Sequence, residues 1–144
     1  MTPIEIPEIR RRLRQAIEQA RQTAAARREQ TAAAERDYAR FLSDVAEPVF
    51  RVFAAAIKAE GYPFLIATPS GGLRLESERS REDAIELALE TAETPVVVGR
   101  VNRGRGRRMI AIERPLREGA AVADLTEEDV LRFLVAEIAP FVTR

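Results

Sequence analysis

No glycine occurs in the first 60 residues of the chain, whereas all seven of its glycines lie from Gly61 onward. Glycine readily adopts the backbone conformations that end helices and turn strands, so only the first part can form a long uninterrupted helix. That part is also rich in Ala, Arg, Glu and Gln, which are strong helix formers. The sequence therefore predicts a helical region over residues 1–60 and a small sheet-containing region over residues 61–144.

The helical region carries an apolar seam with heptad spacing. We expect Thr2 to cap its start and the α-helix to run from about residues 5–8 to about Ala46. From Ile17 onward the seam residues recur at alternating steps of three and four, which is the spacing of a coiled-coil core. The seam residues predicted to mediate self-association are Ile17, Ala20, Ala24, Thr31, Ala34, Tyr38, Phe41 and Val45.

The two ends of the seam are bulky and its middle is small. The middle lies in an alanine-rich segment in which QTAAARRE at residues 22–29 is echoed by QTAAAERD at residues 30–37. An eight-residue repeat rotates by about 80° around a helix, so the echo itself is not a packing repeat. Alanine buries little area, but it lets a second helix approach closely. A helix of about 40 residues is about 60 Å long, which is more than a small domain can cover. A partner copy, a break into a hairpin and a solvated arm all remain open, and we predict a homo-dimer or larger assembly. Arg27 on the seam favours a staggered or antiparallel pairing over a dry parallel one.

Pro48 predicts a kink or a short break within residues 44–47, because a proline inside a helix lacks an amide hydrogen and disfavours the α conformation before it. Ser43 or Asp44 is then expected to cap a second helix. That helix is expected to end at Gly61, in the position where glycine commonly terminates helices.

After Gly61 the pattern changes to short apolar runs between turn residues. Strands are predicted over residues 64–67, 73–76, 95–101 and 109–113. Residues 84–91 fit either a strand or a helix, and the alternation of Ile85, Leu87 and Leu89 favours the strand. Thr126 is expected to cap a final helix. The predicted fold class is α+β, with an antiparallel sheet of four or five strands and a C-terminal helix packed on one face.

The composition excludes several classes of function. The chain contains no cysteine and no histidine, which excludes disulfides, thiolate catalysis and the usual imidazole bases and metal ligands. Its formal net charge is zero, so no overall field favours nucleic acid or an anionic membrane. It has neither an apolar run long enough to span a bilayer nor an apolar N-terminal signal. We therefore expect a cytoplasmic protein without cofactor, metal or membrane partner.

The most basic motif is RVNRGRGRR at residues 100–108. It lies between two predicted strands, where asparagine and glycine suit a turn, so the simplest interpretation is a solvated hairpin. The alternative is contact with nucleic acid, another polyanion or an acidic protein, although the motif has no aromatic side chain on which a base could stack. The arginines predicted for this alternative contact are Arg100, Arg103, Arg105, Arg107 and Arg108. A second basic tract, residues 10–28, holds seven arginines and one acid.

Candidates for catalysis are few. Glu127, Glu128 and Asp129 cluster as carboxylates of a metal or acid–base site do. They also fall in the first turn of the predicted C-terminal helix, where negative charge is favourable in any case, and the capping interpretation is preferred. The sequence thus predicts a non-enzymatic, self-associating structural or protein-interaction module, with polyanion binding through the arginine-rich hairpin as the alternative.

Overall fold

The computed structural model of the protein describes residues 3–143, so the cap predicted at Thr2 lies outside the described residues. Helix α1 spans Ile6–Phe41, a π-helical turn follows over Leu42–Ala46, and helix α2 spans Glu47–Ala59. The chain divides into two compact units, one up to Ala33 and one from Ala34 onward. Helix α1 therefore contributes to both units, and α2 belongs to the second.

The interruption predicted within residues 44–47 takes the form of a π-helical turn. Phe41 and Glu47, which flank the turn, keep right-handed helical backbone angles, so the chain stays helical throughout. A proline within a helix lacks one hydrogen bond and crowds the carbonyl of the preceding turn. The wider π turn just before Pro48 gives that carbonyl room without ending the helix.

The cap predicted for α2 was wrong, because neither Ser43 nor Asp44 caps it. The Ser43 hydroxyl instead donates to the carbonyl oxygen of Arg40 at 3.2 Å. A continuous helix has no free amide groups at this point for a cap to satisfy. The predicted end of α2 is confirmed: Gly61 has a φ of 98°, and its amide donates to the carbonyl of Lys58 at 2.9 Å.

The sheet is a five-stranded antiparallel meander in which the strands lie in sequence order. Its strands are β1 (Phe64–Ala67), β2 (Leu73–Ser77), β3 (Ala84–Glu90), β4 (Val96–Arg105) and β5 (Arg108–Pro115). The ambiguous segment, residues 84–91, is therefore a strand as far as Glu90, as its alternation favours. Strand β4 is longer than predicted, because pairing with β5 continues as far as Arg105 opposite Arg108. Most of the arginine-rich motif consequently lies in strand and not in the turn.

Two helices end the chain, α3 (Glu127–Glu137) and the short α4 (Ala139–Val142). Helix α2 packs on β1, on β2 and on α3, and α3 places the ring of Phe133 directly over Gly99 of β4. Phe50 of α2, Leu75 of β2 and Leu134 of α3 belong to the hydrophobic core and have no solvent exposure. The predicted α+β class, with a C-terminal helix on one face of an antiparallel sheet, is confirmed.

Candidate functional site

The C-terminal part of the predicted seam contributes to the core of the second unit. Ala34 and Phe41 are buried, while Tyr38 and Val45 are partly buried against the core cluster. The rings of Tyr38 and Phe41 stack with centroids 6.4 Å apart. These four side chains pack within the second unit. The seam residues whose side chains are available to a partner therefore lie in the N-terminal part of the seam.

The hydroxyl of Tyr38 is buried and has no hydrogen-bond partner within the described residues. Burial raises the pKa of Tyr38 to about 12, the Glu86 carboxylate also raises it, and Arg100 lowers it. A buried unpaired hydroxyl costs free energy, so this side chain contributes its ring and not its polar atom.

Replacing Tyr38 with phenylalanine is expected to leave the free energy of unfolding unchanged or to raise it by up to about 1 kcal/mol, because no hydrogen bond is lost. The matched control is Tyr62→Phe, which removes a hydrogen bond of 3.1 Å to the carbonyl of Val142 and is expected to cost about 1 kcal/mol. Urea unfolding of both variants measures the difference. Equal losses in the two variants would show that the Tyr38 hydroxyl has a partner after all.

The raised pKa of Tyr38 predicts that the protein loses stability at alkaline pH. The pKa of Tyr38 in the folded protein, about 12, lies above that of an unfolded chain, so the folded state binds the phenolic proton more tightly. Its contribution is therefore complete below about pH 10 and is lost as the pH rises towards 12. Tyr38→Phe should lose less stability than the unchanged protein between about pH 10 and pH 12, as measured by urea unfolding.

The N-terminal part of the seam is solvent-exposed within the first unit. Ile17, Ala20 and Ala24 are exposed, and Thr31 is half-buried. The exposed apolar stripe also begins earlier than the predicted self-association residues, with Ile6, Ile9 and Leu13. Steps of three and four place these residues on the same side of the helix as Ile17. The spacing of these residues in the sequence was sufficient to include them in the predicted stripe.

Polar side chains flank this stripe on both sides. Glu8 accepts hydrogen bonds from Arg11 at 2.6 Å and from Arg12 at 3.1 Å, and these pairs lower the pKa of Glu8. Arg10 and Arg14 have no ion pair with any residue in the range 3–143. At 100° per residue, these two arginines lie beside the stripe on one edge, so the stripe has a basic margin.

A row of alternating charges crosses one face of the sheet. Arg74 of β2, Glu86 of β3, Arg100 of β4 and Glu113 of β5 lie opposite one another in register. Arg100 donates to Glu113 at 2.8 Å, and this hydrogen bond raises the pKa of its guanidinium, whereas burial lowers it. Opposite charges paired across strands stabilise a sheet. Arg100 is therefore already neutralised within the domain, unlike the other arginines of the motif.

The other four arginines of the motif lie around the end of the β4–β5 hairpin. Gly106 and Arg107 form the two-residue turn, and Gly106 takes the first position with a φ of 61°, as a type II′ turn requires. Arg103 and Arg105 precede the turn on β4, and Arg108 follows it on β5. None of these four arginines forms an ion pair with another residue that the structure describes. The hairpin therefore carries four arginines without an ion pair among the described residues, and they remain a candidate anion-contact surface.

The carboxylate cluster at the start of α3 forms a capping box. The Asp129 carboxylate accepts hydrogen bonds from the amide of Thr126 at 2.9 Å and from Arg117 at 3.0 Å, while Thr126 caps the helix through its hydroxyl. Burial raises the pKa of Asp129, but the bonds from Thr126 and Arg117 outweigh it and leave the pKa lowered. Glu127 and Glu128 are exposed. The capping interpretation is confirmed, and residues 3–143 contain no cluster of three or more acidic side chains suited to a metal ion.

Within residues 3–143, every helix is either too short or too polar to cross a membrane. Comparisons of the chain with protein-family models, with curated proteins and with solved structures find no match.

Proposed function

We propose that the protein is a cytoplasmic, non-enzymatic interaction module that associates with a second copy of itself through its N-terminal helix. The observation that carries the proposal is the exposed stripe of Ile6, Ile9, Leu13 and Ile17, whose side chains are 72%, 44%, 54% and 49% exposed. A soluble helix normally turns such a stripe towards a core. Four large aliphatic side chains in helical register on an uncovered face favour a partner helix as their cover.

The magnitude of the hydrophobic gain predicts how strong this association is. Burying the exposed half of four aliphatic side chains on each of two helices gains about 8 kcal/mol in total. Association itself costs about 4–15 kcal/mol in lost translational and rotational freedom. The two terms are similar in size, so self-association should be weak, and the dimer should dissociate as the protein is diluted. Close approach at Ala20 and Ala24 adds dispersion contacts that bulkier residues would prevent.

The orientation of the pair follows from Arg27. A parallel, in-register pair would bring the two Arg27 side chains together on the seam, where like charges and burial both oppose pairing. A staggered or antiparallel pair separates them and leaves each free to reach solvent. The proposal therefore favours a staggered or antiparallel arrangement.

Leu13→Glu and Ile17→Glu are expected to shift the protein towards the monomer, because each places a charge on the stripe while keeping a good helix former. Gln15→Glu and Ala26→Glu are matched controls: they add the same charge on the opposite face of the same helix, where Gln15 and Ala26 are exposed. Light scattering after size exclusion, over a range of concentrations at low and high salt, measures the mass. A monomer at every concentration, or equal dissociation in all four variants, would refute association through the stripe.

Single cysteines can determine the orientation, since the chain has no cysteine of its own. In a parallel, in-register pair both Ile17→Cys and Ala24→Cys should cross-link to their own copies under oxidising conditions. In an antiparallel pair centred near Ala24, only Ala24→Cys should do so.

A second candidate function is polyanion binding by the hairpin. It is supported by the contrast between Arg100, which is ion-paired, and the other four arginines of the motif, which have no ion-pair partner among the described residues. Binding to a nucleic acid or heparin would weaken as salt increases. An acidic protein surface is an alternative partner for the same four arginines.

Retention on heparin at about 0.1 M salt tests this candidate. A variant that replaces Arg105, Arg107 and Arg108 with serine should elute earlier. Arg51→Ser/Arg132→Ser is the control, because it removes exposed arginines that lie elsewhere, on α2 and α3. Absence of retention, or an equal shift in the control, would count against a role of the hairpin.

A further inference from the structure

A polar hollow of about 370 Å³ lies beside the β4–β5 hairpin, within the second unit. Strand β4 forms one wall of the hollow, and the segment around α4 forms the other. The residues that line it are Arg103, Gly104, Arg105, Gly106, Pro140 and Thr143.

The strand geometry explains why two arginines share this hollow. Residues two apart on a strand point to the same face of the sheet, so Arg103 and Arg105 follow Val101 on the face that the helices cover. Val101 is buried in the core. Strand β4 continues beyond the apolar core, and there the same face carries guanidinium groups instead of aliphatic side chains.

Neither of these two arginines forms an ion pair with a carboxylate of the described residues. Elsewhere in the second unit, Arg74, Arg114 and Arg117 each form an ion pair, whereas Arg103 and Arg105 form none. Two acidic side chains contact Gly104, which lies between these arginines. The buried carboxylate of Asp83 accepts a hydrogen bond from the Gly104 amide at 3.0 Å. Glu82 lies against Gly104 on the opposite face of β4, because successive residues of a strand alternate between faces. An anion held between the two guanidinium groups would give each of them a charged hydrogen-bond partner, which neither has among the described residues.

We propose that this hollow binds the phosphate group of a small, hydrophilic phosphate monoester. Arg103 and Arg105 bind the phosphate oxygens through their paired N–H groups, a geometry that suits phosphate, and the hydroxyl of Thr143 donates a further hydrogen bond. The volume falls in the range of small-molecule sites, so it accommodates an organic group as well as the phosphate. No aromatic ring lines the hollow, so a sugar phosphate fits it better than a nucleotide, whose base would need a stacking surface. The site does not require self-association, and it uses two of the arginines of the polyanion candidate without requiring a polymer.

Isothermal titration calorimetry of the full chain tests the site, with inorganic phosphate, glucose 6-phosphate and a short 5′-phosphorylated oligonucleotide as separate probes. Arg103→Gln and Arg105→Gln are expected to weaken binding of glucose 6-phosphate by about tenfold or more each, the effect of losing a hydrogen bond to a charged group. Arg107→Gln and Arg108→Gln are matched controls that remove the same charge from the same hairpin outside the hollow, and they should change the affinity less than about threefold. Thermal unfolding of each variant verifies that it is folded.

Binding of glucose 6-phosphate at least as tight as that of inorganic phosphate, with loss confined to the two variants in the hollow, supports a phosphate monoester. Tighter binding of inorganic phosphate with the same variant pattern identifies the free anion as ligand and overturns the monoester assignment. Binding of the oligonucleotide alone, with similar losses in all four variants, overturns the hollow and supports the polyanion candidate instead. Absence of binding of all three probes at about 10 mM, a concentration that detects even millimolar affinity, overturns the proposal without affecting self-association.

Discussion

Replacing Gly99 with alanine is expected to lower the free energy of unfolding by about 3 kcal/mol, the upper end of the cost of adding a methyl group to a packed core. A Cβ atom at position 99 would lie 2.0 Å from Cζ and 2.3 Å from Cε1 of Phe133, closer than any non-bonded contact allows. The Phe133 ring is only 7% exposed, so it cannot swing into solvent without uncovering the core. Either the ring or α3 has to move away from β4.

Chemical unfolding of a double-mutant cycle isolates this contact. Phe133→Leu shortens the side chain that meets the new methyl group, so Gly99→Ala should cost less in the Phe133→Leu background than alone. Gly104→Ala, on the same strand, is the control, because a Cβ there would meet the Glu82 carboxylate, the end of a flexible and exposed side chain. A Gly99→Ala variant as stable as Gly104→Ala would contradict the close packing of the ring on the strand.

The elements that follow a simple period could be predicted from the sequence. The absence of glycine before residue 61 and the heptad spacing predicted α1, and the alternation at Ile85, Leu87 and Leu89 predicted β3. In each case apolar side chains recur with the period of the backbone, whether or not the face that they form is buried. The extension of β4 to Arg105 was not predictable in this way, since Arg103 and Arg105 are polar on the face where apolar residues would signal a strand. Their pairing relies on backbone hydrogen bonds and on the two-residue turn at Gly106.

The cap predicted at Ser43 failed for a different reason. A proline can break a helix, kink it or be accommodated by a wider turn, and the local sequence does not distinguish these outcomes. Phe41, Leu42 and Ala46 are buried, and the burial of all three is consistent with packing that keeps the chain helical through the turn. A tertiary contact of this kind cannot be deduced from residues 43–48 alone.

The candidate sites were predictable only in part. All five arginines of RVNRGRGRR look alike in the sequence, but the strand register places Arg100 opposite Glu113 and leaves Arg103 opposite Ile110. A shift of the register by one residue would exchange the two faces of the strand. The turn at Gly106 sets this register, so it also decides which arginine faces a carboxylate. Thr143 was missed because nothing local connects it with the hairpin.

Asp129→Ala is expected to destabilise the protein by about 2–3 kcal/mol at neutral pH, the combined cost of losing a helix cap and a charged hydrogen bond. Asp129 is only 5% exposed. Its carboxylate accepts hydrogen bonds from the Thr126 amide, the Thr126 hydroxyl and Arg117. Glu127→Ala is the matched control: it removes a negative charge from the same helical turn, but the side chain is exposed, and the expected cost is below about 1 kcal/mol. If the two variants lost similar stability, charge at the helix terminus and not the buried hydrogen bonds would account for the effect.

The pH dependence of the same variant distinguishes a buried anionic cap from a merely polar one. The pKa of Asp129 is lowered in the folded protein, so its stabilising contribution is present above the pKa of an unfolded aspartate and is lost as the pH falls through the folded value. Urea unfolding should therefore show the full difference between Asp129→Ala and the unchanged protein above about pH 5, and a shrinking difference below about pH 4. Asp129→Asn keeps the shape but not the charge, and should show an intermediate loss at neutral pH with a weaker dependence on acid. A difference that stays constant down to about pH 3 would mean that the ionised form is not what stabilises the start of α3.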